Sequence, residues 1–193
     1  MERSAIETET AELSSQIRLE QLRRIVDEGV HRSLTWRQAQ LDGLLHFVSD
    51  HEEAMLAALK ADLGRCAAEA RLADILMVRS ELKLIRRNLR RWLQPSHVHT
   101  PLAAQPGNSW LHQEPFGLAL ILGTWNYPFQ QILLPLAGAL AAGNAAVVKL
   151  PELAVQSASL MATHLPQYAD PADRSARGPR VHLAGYSRTD RHS

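Results

Sequence analysis

Three polar residues in the carboxyl-terminal half of the chain are of types, and at spacings, that can do chemistry. Asn126 lies in "GTWNYP", between two aromatic residues and directly after the apolar run "FGLALIL". Lys149 and Glu152 close a second apolar run, "AAVVKLPE". In parallel α/β sheets, ligands bind beyond the carboxyl ends of the strands. A side-chain amide there can donate to a developing oxyanion. A turn asparagine bonded to its own backbone accounts for Asn126 equally well. A cation and a carboxylate in a Lys-x-x-Glu spacing can hold a phosphate or the hydroxyls of a ribose, or they can form a plain surface ion pair.

Several other chemistries are excluded. No G-x-G-x-x-G follows the first apolar run, because bulky residues separate Gly117 from Gly123. Asn144 follows Gly143 where a phosphate-binding loop needs Gly-Lys-Ser, and no G-x-S-x-G elbow exists. Cys66, the single cysteine, lies in "LGRCAAEA" with no histidine near it in sequence. It reads as an ordinary small helix residue, since a reactive thiol needs an activating neighbour. One cysteine allows no internal disulfide, which fits a reducing compartment and a cytoplasmic location. His97 and His99 form an H-x-H pair without a third ligand, so a solvated loop is expected and no metal site. Lys83, Arg86, Arg87, Arg90 and Arg91 in "KLIRRNLRRWL" read as cations solvating a helix near its negative end. With no aromatic-studded partner segment, and a net charge of +1, there is no case for nucleic acid or an anionic membrane as a partner.

The elements that must position these residues follow from periodicity. Residues 1–95 are expected to be helical. Leu13, Ile17, Leu22, Ile25 and Val26 share one face, and Gly29 is a natural stop. A second helix, from about Thr35 to Val48, turns Trp36, Leu41, Leu44, Leu45 and Val48 inward. Ser49 with Glu52, or Asp50 with Glu53, spells a capping box for a third helix, which uses Met55, Leu56 and Leu59 and stops near Gly64. The longest helix spaces Ile75, Val78, Leu82, Ile85, Leu89 and Trp92 three and four apart and ends at Pro95. Residues 96–113 read as loop with a β-hairpin around Pro106-Gly107-Asn108.

Residues 114–169 then change character. "FGLALILGT" reads as a strand buried on both faces. "PFQQILLPLAGALAAGN" reads as a helix opened by Pro128 and capped by Gly143-Asn144. "AAVVKL" reads as a second strand, and Pro151 opens a further helix that ends near Pro166. The order implies a right-handed crossover and a parallel sheet. The uncharged run from Phe116 to Val148 exceeds the roughly 20 residues of a membrane span. Glycine, proline and asparagine break it into two short pieces, so a buried strand and helix account for it better. Residues 170–193 carry five arginines and few large apolar side chains, which predicts disorder with "VHLAGY" as one weak strand at most. Only two parallel strands are therefore expected. The fold class is α/β: a helical amino-terminal layer plus an incomplete parallel strand-helix-strand-helix unit.

The stretch "EPFGLALILGTWNYPFQQILLPLAGALAAGNAAVVKLPELA" strongly resembles the aldehyde dehydrogenase superfamily, in its class 3-like branch that includes fatty-aldehyde dehydrogenases. The resemblance is dense from Glu114 to Tyr168 and extends more loosely back to about Ser33, through "ALKADLGR". It implies NAD- or NADP-dependent oxidation of an aldehyde to a carboxylic acid in a cofactor-binding domain. In that family a cysteine thiolate attacks the aldehyde, hydride passes to the nicotinamide, and a glutamate activates water to release the acid. The family's oxyanion-hole asparagine falls on Asn126. Its cofactor-lining strand end falls on Leu122, Thr124 and Trp125, and its ribose-contacting lysine and glutamate fall on Lys149 and Glu152. One departure stands out. The family's Lys-Pro-Ser-Glu is Lys-Leu-Pro-Glu here, so the Lys-to-Glu spacing is kept while the proline moves to position 151 and removes a backbone donor.

The family's glycine-rich phosphate segment, nucleophilic cysteine, general-base glutamate and substrate domain have no counterpart in these residues. The expectation is a truncated or frameshifted amino-terminal part, inactive alone because no nucleophile can form the covalent intermediate. The alternative is a non-catalytic helical interaction module or a remnant. The substrate in the intact family is a small-molecule aldehyde, and no oligomeric state is implied.

Overall fold

The architecture comes from a computed structural model, which describes residues 32–168 and 181–184 together with Glu20, Arg23, Arg24 and residues 26–29. The expected first helix is thus described only at its carboxyl end, where Gly29 adopts a φ of 74°. Leu13, Ile17, Leu22 and Ile25 lie outside the described residues.

Helix α1, Leu34–Asp50, starts at Ser33, whose hydroxyl accepts from the Trp36 N–H at 3.1 Å. That bond satisfies one of the donors a helix start leaves open. Trp36, Leu41, Leu44, Phe47 and Val48 form its buried face. Helix α2, Glu52–Leu63, buries Met55, Leu56 and Leu59 and ends at Gly64 in the left-handed region, φ 69°. The expected capping box is absent. Only His51 separates the two helices and its side chain makes no cap, so neither Ser49 nor Asp50 has the extended position a box requires. Glu52 pairs with Arg71 and Arg79 instead, and Asp50 accepts from the Tyr168 hydroxyl.

The expected long helix is three joined pieces: α3, Ala67–Ala70, a π-helical stretch, Arg71–Leu76, and α4, Met77–Trp92. Ile75, Val78, Leu82, Ile85 and Leu89 are buried as spaced, whereas Trp92 at the frayed end is exposed. The five cations near that end face solvent, and Arg86 pairs with Asp42.

Strands β1, Ser96–Val98, and β2, Ser109–Leu111, form the antiparallel hairpin. Then come β3, Leu118–Leu122, α5, Gln130–Ala142, β4, Ala145–Lys149, α6, Val155–Tyr168, and β5, Val181–Ala184. The sheet order is β3-β4-β5, all parallel. Two expectations change here. The sheet has a third strand, because "VHLA" pairs with β4 from Ala146↔Val181 to Lys149↔Ala184. The remainder of residues 170–193, expected to be disordered, lies outside the described residues. In addition, β3 is covered on one face only. Ile121 is buried under α5, while Leu120 and Leu122 on the other face are 67% and 62% exposed. Alternation of inside and outside along a strand requires this when one layer of helices is present. Helix α6 also starts four residues after Pro151, at Val155, with the Asp62 carboxylate of α2 accepting from the Gln156 and Ser157 N–H groups.

Helix α5 lies between the sheet and helices α1 and α4, and α6 packs on α1 and α2. One apolar core joins them, with Phe47, Leu59, Leu82, Phe129, Ile132 and Leu133 fully buried. Burial of each such side chain contributes about 1.5–3 kcal/mol. No helix among the described residues is long and apolar enough to cross a membrane.

Candidate functional site

Register decides where the polar groups meet. Leu122 and Lys149 are partners across β3 and β4, so both strands end at the same level. The chain leaves β3 through Gly123, whose N–H donates to the Lys149 carbonyl at 2.8 Å. A Cβ at position 123 would come within 2.6 Å of Ile132 Cδ1 and 3.0 Å of Pro151 Cδ, so glycine lets the turn lie flat on α5. The amino end of β3 is pinned as well. The Asn144 side-chain oxygen accepts from the Gly117 N–H at 2.8 Å, and Gly117 adopts a φ of 105° that favours glycine.

An open cleft of about 460 Å³ lies beyond the two strand ends, lined by Gly123, Thr124, Trp125, Asn126, Lys149, Pro151, Glu152 and Leu153. Five of the six expected site residues therefore come together: Thr124, Trp125, Asn126, Lys149 and Glu152. Leu122 does not line the cleft; its side chain stands on the uncovered face of the sheet. The Lys149 ammonium lies 2.6 Å from a Glu152 carboxylate oxygen. That hydrogen bond, and then the lysine charge, hold the Glu152 carboxyl below its ordinary range. One further Glu152 oxygen and the remaining ammonium hydrogens are available to vicinal hydroxyls. Trp125, 55% exposed, offers a flat apolar surface beside them. This donor set, with a cation, a carboxylate and an aromatic face, fits the adenosine half of a dinucleotide. Proline at 151 supplies no N–H to it but packs against Gly123.

Asn126 is exposed, and its side-chain amide makes no hydrogen bond among the described residues. The turn-asparagine alternative predicts such a bond. What holds its main chain was not legible in the sequence. Arg65, just past Gly64, donates to the Asn126 carbonyl and to the fully buried Asp74 carboxylate, the latter at 2.6 Å. Asp74 also accepts from the Gln130 N–H at 3.1 Å. Cys66, by contrast, is exposed and lies outside the cleft lining. His97 stacks edge-on against Trp110, 5.1 Å between centroids, and no group of three metal-ligating side chains occurs among the described residues.

A helical layer against a parallel sheet, with polar groups gathered at the strands' carboxyl ends, defines an α/β protein that takes its ligand beyond the sheet. Comparison with known proteins narrows this. Residues 24–173 match the model of the aldehyde dehydrogenase family. The chain is 42% identical over 153 residues to aldehyde dehydrogenase family 3 member B1 of Mus musculus, covering 79% of this chain and 33% of that one. It is 38% identical over 152 residues to family 3 member H1 of Arabidopsis thaliana, covering 79% and 31%. The substrate-bound AldH of Staphylococcus aureus superposes with a TM-score of 0.79 at 28% identity, over 87% of this chain and 35% of that one. A succinic semialdehyde dehydrogenase of Streptococcus pyogenes, solved with NADP+, shares the fold with a TM-score of 0.69 at 17% identity, over 88% and 36%. The chain belongs to the aldehyde dehydrogenase family, in its class 3-like branch. It spans about a third of the length of the curated relatives it matches.

Proposed function

We propose that these residues form the aldehyde-oxygen and adenosine-binding part of an NAD- or NADP-dependent enzyme that oxidises an aldehyde to its acid. The observation that carries the proposal is one cleft joining Asn126, Trp125, Lys149 and Glu152 at the carboxyl ends of adjacent parallel strands. Lys149 and Glu152 would take the ribose hydroxyls, with Trp125 beside them. The Asn126 amide, free of other partners, would donate to the oxygen of the adduct as it gains charge. The bound dinucleotide would supply the hydride acceptor. Cys66 lies outside the cleft, so these residues on their own provide no thiolate for the covalent step and leave the aldehyde unoxidised.

Isothermal titration of the 193-residue chain with AMP, NAD+ and NADP+ tests this. Saturable AMP binding, weakened by Lys149→Ala and by Glu152→Gln, is expected. A wild-type chain that binds none of the three refutes the assignment. An assay with aldehyde and NAD+ should give no NADH. Its appearance would show that the covalent step has a nucleophile here after all.

A further inference from the structure

The Asn126 loop is exposed and spans no helix or strand, yet one side chain from a distant part of the chain clamps it. Arg65 sits 61 residues before Asn126, in the turn between α2 and α3. One of its terminal nitrogens donates to Asp74 Oδ2 at 2.6 Å, and the other donates to the Asn126 carbonyl. Its guanidinium lies over the Tyr127 ring, 4.2 Å from the centroid, so the next residue is held as well. Asp74 is fully buried, whereas the Arg65 side chain is 12% exposed. The other Asp74 oxygen accepts from the Gln130 N–H, at the first residue of α5. Asp74 is delivered to this place by the π-helical stretch Arg71–Leu76, where the wider turn displaces it from α-helical register. The loop from Gly123 to Phe129 is thereby bracketed at both ends of its functional part, at Asn126 and at Gln130, by two side chains bonded to each other.

We propose that Arg65 is a positioning residue for the aldehyde-oxygen site, anchored on Asp74 and fixing the main chain at Asn126 while leaving the Asn126 amide open to the cleft. The proposal rests on the role given to Asn126 above. A guanidinium suits the task because its planar fork presents two donors in fixed relation, one for the carboxylate and one for the carbonyl. The carboxylate must be ionised to hold the fork. Burial raises the Asp74 pKa, against the pull of the Gln130 N–H and of Arg65. An oxyanion donor is effective only when its position is set before charge develops, and a loop amide without such a bracket would sample many orientations.

The test is nitrogen-15 relaxation on the 193-residue chain, wild type against Arg65→Met, Arg65→Lys and Asp74→Asn. In the wild type, the backbone at Trp125, Asn126 and Tyr127 should show order parameters near 0.85, the value of rigid backbone. In Arg65→Met these should fall below about 0.6, the flexible range, with the Asn126 side-chain amide following. Arg65→Lys, which restores the charge but not the fork, should recover part of the order. Asp74→Asn keeps an oxygen for the Gln130 N–H and loses the charge on Arg65. It should loosen residues 125–127 while Gln130 stays ordered, and it decides the matter should Arg65→Met not fold. The bracket is overturned if residues 125–127 keep wild-type order in Asp74→Asn and in a folded Arg65→Met. It is equally overturned if order falls by the same amount at Gln156 and Ser157, which Asp62 holds independently. AMP titration of the wild type on the same samples separates the two failures. Lack of binding refutes the functional assignment, whereas the relaxation data alone decide the bracket.

Discussion

The Lys149 ammonium and the Glu152 carboxylate lie 2.6 Å apart at the rim of the cleft, both exposed and bonded to each other. A pair in this setting adds little to stability. Its consequence is a polar rim poised for hydroxyl groups. Lys149→Ala is expected to weaken AMP binding about tenfold, or ~1.4 kcal/mol, with no change in melting temperature. Because Glu152 is held below its ordinary carboxyl range, binding should stay constant from about pH 8 down to about pH 5 and fall only as the carboxylate protonates. Calorimetric titration across that range checks both.

Asp62 of α2 accepts from two N–H groups of α6, Gln156 at 2.9 Å and Ser157 at 2.8 Å. The α6 start has no cap from its own sequence, so a side chain of another helix supplies it. Asp62→Ala should cost about 1–2 kcal/mol, as loss of a helix cap does. The melting temperature should drop by a few degrees, roughly 2–4 °C per kcal/mol for a chain of this size. Asp62→Asn, which retains an acceptor, should cost less.

His51 and His164 stack with ring centroids 4.3 Å apart. Burial, and then the His164 imidazole, lower the His51 pKa, with Asp50 opposing. The unfolded chain therefore binds a proton here more readily than the folded one. The stabilisation is complete above the ordinary value of 6.5 and is lost as pH falls through the lowered one. Thermal melts at about pH 7.5 and about pH 5 should show a decline toward acid. His51→Gln should flatten that decline.

Gly143 ends α5 at φ 87°, with the Arg37 guanidinium packed where a Cβ would stand, 2.6 Å from its nearest atom. Arg37 also donates to the Ala141 carbonyl at 3.1 Å. Gly143→Ala meets both the left-handed penalty of about 1–2 kcal/mol and this contact. Chemical denaturation should report a loss larger than the conformational penalty alone. Gly64→Ala, with φ 69° and no atom within 4 Å of the new Cβ, should lose the penalty only.

What the sequence by itself determined about this protein is whatever is written in short-range pattern. The spacing of Leu41, Leu44 and Val48, and of Val78, Leu82, Ile85 and Leu89, predicted buried helix faces because a helix repeats every 3.6 residues. Glycine at 64 and at 143 marked helix ends because only the left-handed conformation was needed there. The motif around Asn126, Lys149 and Glu152 was legible for the same reason, since each lies directly after an apolar strand. Tertiary structure alone decided the rest. Nothing local distinguishes Glu52 as the partner of two arginines from Glu52 as a capping residue, and the choice fell with the single residue left between α1 and α2. "VHLA" has too few apolar residues to declare itself, and becomes a strand because β4 offers an unpaired edge. Arg65 and Asp74 carry no periodic signal toward the site. Their partners Asn126 and Gln130 lie 61 and 56 residues away, and a bond of that separation exists only once packing has brought α2, the π-helical stretch and the β3–α5 loop together.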